Sequence, residues 1–217
     1  MAPALRLARR LALSASRKGE QPVSDWAGDN DPEERRRATI AAAKTRSTLI
    51  DRWSREDVGK LESWAERARA AAVHARPGMR VLDIGCGAMA LEGLLPEGCT
   101  YLPMDCVARD DRTIIRDLNR EPFPEVEADM AFGLGVLEYL YDVPRFLRQL
   151  RMAVPRALLS YHPLDRNIGR DRWSLGWVNA LNSVELAALL RHAGFRSVEV
   201  VPYKPKLLFY LVERAPS

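Results

Sequence analysis

The chain has 217 residues, enough for one domain with a buried core and an N-terminal extension. Apolar residues make up 47% and charged residues 29%, the balance of an ordinary soluble protein rather than a disordered or fibrous one. Of the 33 Lys and Arg, five (Arg6, Arg9, Arg10, Arg17 and Lys18) fall in the first 19 residues with no acid among them, leaving 28 against 29 Asp and Glu. The net charge of +4 therefore belongs to the tail. The body has no basic footprint, which argues against DNA and RNA as substrates. No apolar stretch approaches the ~18 residues of a membrane span. Cys86, Cys99 and Cys106 are an odd, unpatterned set, as expected in the reducing cytoplasm, and no His/Cys/carboxylate spacing suggests a metal.

The opening stretch, MAPALRLARRLALSASRK, can wind into a short amphipathic helix, with Ala4, Leu7, Ala8 and Leu11 on one side and Arg6, Arg9 and Arg10 on another. Three readings stand: a disordered tail, a helix lying on a membrane surface or partner, and a transit peptide. Gly19, Pro22 and Gly28 mark a linker, so residues 1–30 are expected to be a flexible basic tail and linker. Residues 31–78 read as two helices. Asp31 can cap the first, Pro32 fits its first position, Glu34 gives capping-box spacing, and the run reaches about Leu49. The second begins near Ser54, with Asp57 three residues on, and sets Val58, Leu61, Trp64, Ala65 and Ala68 on one side. Packing over a sheet is the expected role of Trp64; a lid or substrate platform is the alternative.

The centre of the chain is RVLDIGCGAMALE. Residues 80–84 read as a strand, Gly85-Cys86-Gly87 as a tight turn, and residues 88–94 as the start of a helix. Glycine tolerates positive φ and lets backbone approach a ligand, and a helix start adds free N–H groups, so this is a nucleotide-type pocket. Ala90 occupies the sixth place of a dinucleotide fingerprint, which weakens an NAD reading. A second strand ends at Asp105 and Cys106; Asp105 lies 20 residues beyond Gly85, where an acid meets ribose hydroxyls. Residues 112–116 form a third strand ending in Asp117-Leu118-Asn119, and residues 128–132 a fourth ending in Gly133-Leu134-Gly135. Asp142 then caps a helix with Phe146, Leu147 and Leu150 inward. A fifth strand, 157–161, delivers Tyr161 and His162 to a carboxyl edge, where open α/β sheets bind substrates. Arg170, Arg172, Trp173 and Trp177 follow on an expected mobile loop. Asn182 and Glu185 start the last helix, Gly194 ends it, and residues 197–201 and 206–212 make two final strands.

Asp83-x-Gly85-x-Gly87, Asp105, Asp117-Leu118 and the segment ADMAFGLGVLEYLYDVPRFLRQL occur in the order and spacing of the class I S-adenosylmethionine (SAM)-dependent methyltransferases. The resemblance, to methyltransferase type 11 proteins, covers residues 55–213; LLSYHP also resembles the MetW-like members. It implies an α/β fold: a Rossmann-like, seven-stranded, mostly parallel sheet with an antiparallel last strand, helices on both faces, and residues 79–217 as the SAM-binding domain. It further implies that Gly85, Cys86, Gly87 and Ala88 pass beneath the methionine part of the cofactor while Asp83 holds its ammonium. Asp105 and Cys106 would meet the ribose, Asp117 and Leu118 the adenine, and Gly133 and Leu134 the cofactor edge. Met89 stands where the family has its usual third Gly.

The expected reaction is direct methyl transfer to a small-molecule or glycan hydroxyl. His162 is the candidate base because imidazole titrates near pH 6.5, with Tyr161 positioning and with Arg170 and Trp177 offering substrate contacts. A SAM-binding regulatory protein without turnover is the alternative, suggested by Met89 and the MetW-like features. An RNA or protein methyltransferase recruited by the basic tail is a third.

Overall fold

The computed structural model describes residues 31–55 and 61–215, so the basic tail, Asp57 and Val58 lie outside it. Helix α1 (Pro32–Thr45) starts as its sequence dictates: the Asp31 carboxylate accepts from the Glu33 N–H at 2.8 Å, and Pro32 begins the first turn. It ends before Leu49, because Arg46 turns left-handed at φ 53° and its N–H closes back on Ala42 and Ala43. The freed residues carry Thr48 across to the sheet. Ser54 does not open the next helix; it closes the four-residue α2 (Ile50–Trp53). Helix α3 (Glu62–Ala72) follows.

The strands are β1 (Arg80–Ile84), β2 (Thr100–Asp105), β3 (Ile114–Ile115), β4 (Met130–Leu134), β5 (Arg156–Tyr161), β6 (Phe195–Lys204) and β7 (Leu207–Arg214), with α4 (Val143–Ala153) and α5 (Ser183–His192) between them. Their order across the sheet is β3-β2-β1-β4-β5-β7-β6. Strands β1 to β5 pair in parallel, and β7 runs antiparallel between β5 and β6. This is the Rossmann-like sheet the motifs implied.

Period-two alternation divides the core into two layers. Leu82, Ile84, Ala131, Leu159 and Tyr210 point to one face, where Phe146, Leu147 and Leu150 of α4 and Leu186 and Leu190 of α5 cover them. Val81, Met130, Phe132, Leu158 and Phe209 point to the other, under Ala68, Ala71 and Ala72 of α3. The Ala stripe lets α3 sit close to the sheet, and this brings its Trp64 and Arg67 over the strand ends. The capping box of α5 forms in full between Asn182 and Glu185.

No α-helix follows the glycine turn. Residues 88–91 remain a turn, and only Glu92–Leu94 tighten into one 3-10 turn. Met89 explains this: its φ of 56° is left-handed, which a right-handed helix cannot contain.

Candidate active site

Parallel pairing puts the carboxyl ends of β1, β2, β4 and β5 on one edge, and the site is built there. Gly85, Gly87 and Met89 all have positive φ, at 69°, 51° and 56°. The loop is held against β2 by the Gly85 and Cys86 N–H groups, both donating to the Met104 carbonyl at 2.7 and 3.1 Å. A Cβ at Gly85 would lie 2.5 Å from Val136 Cγ2, so only glycine lets β1 and the 136 segment approach this closely. Met89 adopts the conformation that glycine serves elsewhere. Its sulfur lies 3.9 Å from an Arg112 guanidinium nitrogen, and its side chain forms no wall of the cleft beside the loop.

Three acids mark the cleft. Asp105 Oδ1 accepts from Cys106 N–H at 2.7 Å, and Oδ2 accepts from Gly87 N–H at 2.9 Å and Arg109 Nε at 3.1 Å. One carboxylate thereby fixes both the glycine turn and the end of β2. Asp117 Oδ1 accepts from Thr48 Oγ1 at 2.6 Å and Asn119 N–H at 3.0 Å, tying the α1–α2 connection to the end of β3. Asp83 is buried and accepts from the Tyr101 hydroxyl at 2.7 Å. Burial pushes its carboxyl up to about 7, against the Tyr101 hydrogen bond, which favours the charged form.

A cleft runs along Gly85, Gly87, Asp105, Cys106, Asp117, Leu118, Leu134 and Val136. A smaller chamber adjoins it at the glycine loop, walled by Asp83, Cys86, Ala88 and Arg67. A third is walled by Arg67, Glu138, Tyr139, His162 and Trp177. Trp64 lines all three.

In the third chamber Glu138, 1% exposed, accepts from both the His162 backbone N–H at 2.9 Å and its Nδ1 at 2.8 Å. Burial opposes a charge on Glu138, yet the His162 hydrogen bond and charge hold its carboxyl below the usual range. An ionised carboxylate can only accept, so Nδ1 is the His162 nitrogen that carries a proton toward Glu138. The imidazole stacks on Trp177, with centroids 4.6 Å apart and rings at 26°. Behind it, Arg172 donates to the His162 carbonyl at 2.9 Å, the Asn179 carbonyl at 2.7 Å and the Tyr161 hydroxyl at 3.1 Å. Asn179 in turn donates to the Leu137 and Leu140 carbonyls at 2.6 and 3.0 Å. These bonds fix the end of β5 relative to the turn that carries Glu138.

A family model described as a methyltransferase domain matches residues 35–200. The chain belongs to this family. Solved structures with the same fold include a putative O-methyltransferase from Nostoc punctiforme PCC 73102 (TM-score 0.60, 13% identity, 84% of this chain and 68% of that one). An S-adenosylmethionine-dependent methyltransferase from Mesorhizobium loti aligns at TM-score 0.52 and 20% identity, over 69% of this chain and 98% of that one. CalO1, a methyltransferase of calicheamicin biosynthesis in its SAH-bound form, aligns at 0.56 and 17%, over 86% and 69%. No curated protein matches the sequence.

The residues of this methyltransferase fit SAM. The glycine loop leaves a chamber beside a buried acid for a methionine moiety, and the larger cleft offers carboxylates at the ends of β2 and β3 for an adenosyl group. Asp83, Gly85, Cys86, Gly87, Ala88, Asp105, Cys106, Asp117, Leu118 and Leu134 all line this space. Gly133 does not: it is buried in the sheet, where a Cβ would lie 2.8 Å from Leu159 Cδ2, and Gly135 lines the cleft instead. Tyr161 is also removed from the cleft. Its alternation turns it into the α4/α5 layer, fully buried, with its hydroxyl engaged by Arg172, Asn179 and Leu181. Arg170 is no part of the chamber wall, and its guanidinium carbon lies 6.0 Å from the Trp177 ring centroid. Trp177 is a wall, but His162 stacks on it and the Arg172 guanidinium lies 4.7 Å from its centroid. The loop expected to be mobile is thus pinned through buried Arg172 and Trp177.

Glu138, Arg67 and Arg109 were not legible as site residues, and Trp64 faces the cleft rather than serving only as packing. One signal existed for Glu138: it is a lone acid in an apolar run, VLEYL, expected to face the core. No comparable signal marks Arg67 or Arg109.

Proposed function

We propose that the protein transfers the methyl group of SAM to a hydroxyl of a small molecule or single glycan unit seated against His162. Bound SAM supplies an electrophilic methyl on a sulfonium, and the protein's task is alignment and removal of a proton. The loop at Gly85 and Gly87 admits the methionine moiety, with Asp83 opposite its ammonium; Asp105 takes the ribose and Asp117 the adenine amino group. His162 Nε2 accepts the hydroxyl proton, and the Glu138 carboxylate stabilises the imidazolium that results.

The observation that carries this reading is the 2.8 Å Glu138–His162 pair, held in a chamber that shares Trp64 and Arg67 with the glycine-loop chamber. A buried carboxylate that engages one imidazole nitrogen of a cavity-lining His leaves the other nitrogen to serve as a general base. The reading without turnover rests on Met89 and on the MetW-like features; Met89 lines neither the cleft nor the chamber at the glycine loop, which weakens the first ground.

The test combines calorimetry with SAM and a screen of hydroxylated acceptors followed by mass spectrometry. SAM binding with a +14 Da product is the expected result; binding with no product from any acceptor would favour the regulatory reading. We further assign the described residues of 31–78 to N-terminal helices that pack on the core, with Trp64 at the cleft. The three unpaired cysteines support a reducing, cytoplasmic setting. Among the described residues no helix is long and apolar enough to cross a membrane.

A further inference from the structure

Among the described residues, four of the nine large apolar side chains left exposed fall in one short stretch: Leu164, Ile168, Trp173 and Val184. Ile168 is 84% exposed, yet its loop is fastened on both sides. The buried Asn167 side chain donates to the Pro163 carbonyl at 2.8 Å and to the Lys206 carbonyl at 2.9 Å, which ties the loop to the β6–β7 turn. Leu164 N–H donates to the Leu181 carbonyl at 2.9 Å, and Asp165 accepts from the Ser183 N–H and hydroxyl, both at 2.7 Å, which ties it to the start of α5.

Three cations stand among these apolar groups: Arg166 and Arg170 on either side of Ile168 in sequence, and Lys206 on the tied turn. None is in a salt bridge with another described residue, whereas the acids of the loop are engaged, Asp165 by Ser183 and Asp171 by Arg36 at 3.4 Å and the Trp173 N–H at 3.1 Å. Arg36 belongs to α1, and Arg35 beside it donates from Nε to the Ser174 carbonyl at 2.7 Å. The chain before Asp31, with five basic residues and no acid in its first 19, therefore joins the body beside this loop. Apolar side chains interleaved with unneutralised cations match a phase that offers both an apolar layer and anionic headgroups. A nucleic acid offers the charge without the apolar layer.

We propose that the loop of residues 164–173, with the basic tail beside it, docks reversibly on an anionic lipid surface. Ile168, Leu164 and Trp173 enter the boundary between headgroups and acyl chains, and Arg166, Arg170 and Lys206 meet the headgroups. The loop leaves from His162 and returns at Trp177, two walls of the third chamber, so docking holds that chamber close to the lipid. The inference does not depend on methyl transfer.

The test is cosedimentation of the full chain with vesicles of phosphatidylcholine alone and of an equal mixture with phosphatidylserine. Wild type should sediment with the mixed vesicles only, and less so as salt rises. Ile168→Glu, and Arg166→Gln combined with Arg170→Gln, should each lower the partition about tenfold or more. Val73→Glu, at an equally exposed apolar position just past the end of α3, should leave it within about twofold. All replaced side chains lie outside the core, and melting temperatures confirm that each variant is folded. No binding to the mixed vesicles, or equal binding to both kinds, would overturn the inference. Wild-type partition in both loop variants would place the attraction in the tail alone, and an equal loss in Val73→Glu would make it non-specific; either overturns it. A concentration-dependent dimer that Ile168→Glu abolishes, without vesicle binding, would give the face to a second copy of the chain instead.

Discussion

The two ends of the cleft are built in different ways. At the proposed cofactor end, backbone does most of the work: a turn rich in left-handed residues, fixed to β2 by two N–H hydrogen bonds to the Met104 carbonyl and one to the Asp105 carboxylate. At the acceptor end, side chains from four separated segments meet: Trp64 and Arg67 from α3, Glu138 from the turn after β4, His162 from the end of β5, and Trp177 from the loop beyond. The first arrangement is local in sequence and tolerates little change of backbone. The second is assembled by the fold and can be altered one side chain at a time. This teaches that binding and turnover should separate under mutation, and each variant below tests that separation.

The largest effect is expected at His162. Replacement by Ala removes the only imidazole in the acceptor chamber and should lower kcat about 10²- to 10⁴-fold, the usual contribution of a general base. SAM affinity should stay within about twofold. Glu138→Gln should also lower kcat, because a neutral amide neither dictates the imidazole tautomer nor stabilises the imidazolium; thermal melting separates that loss from unfolding. Full activity in the His162 variant would join the two ends again and remove the proposed base.

Next comes Asp105→Ala, which acts on the cofactor end alone. Loss of a charged acceptor for the ribose should weaken SAM by about 1.5–3 kcal/mol, or roughly tenfold to a hundredfold. The same carboxylate holds Gly87 and Arg109, so Asp105→Asn, which keeps an acceptor oxygen, serves as the gentler variant. Unchanged affinity in either folded variant would dissociate the ribose from the end of β2.

The same contrast explains what the sequence made legible. Asp83-x-Gly85-x-Gly87 and Asp105 were readable because strand, turn and strand end lie at fixed spacings, and the sheet order followed from the family pattern they carry. The helix expected after the turn failed, because a single left-handed residue at Met89 leaves only a 3-10 turn. Tyr161 and His162 were placed on the correct edge, but the face each side chain takes depends on strand alternation, which sent Tyr161 into the core and left His162 at the chamber. Glu138 and His162 are 24 residues apart, and Trp64 and Trp177 lie on opposite sides of both. No spacing rule connects them; only the folded sheet does.

A smaller effect distinguishes Asp83. Its carboxyl is pushed up to about 7 by burial, above the ordinary value of 3.8, so it gains charge as pH rises through neutrality. Only the charged form attracts an ammonium, so SAM affinity should improve between pH 6 and pH 8, and Asp83→Asn should flatten that rise. Stability of the free protein runs the other way. Between the two pKa values the folded state binds more protons than the unfolded, so this group's contribution falls as pH rises from about 4 to about 7. Urea titrations of both proteins across this range would reveal the difference; a pH-independent affinity in wild type would detach Asp83 from the ammonium.

The smallest effect is expected at Met89. A non-glycine residue in left-handed conformation costs roughly 1–2 kcal/mol, and glycine loses about 0.5–1 kcal/mol through the extra freedom of its unfolded chain. Met89→Gly relieves that strain but also removes a half-buried side chain packed on the core, so stability should change by no more than about 1 kcal/mol. Because the Met89 side chain turns toward Arg112 rather than into the methionine chamber, SAM affinity should remain within about twofold. A large gain in affinity would mean that the thioether obstructs the cofactor after all. A large loss would mean that Met89 is part of the wall. Either result would overturn the claim that the glycine turn works through its backbone, and that claim is what sets the cofactor end apart from the acceptor end.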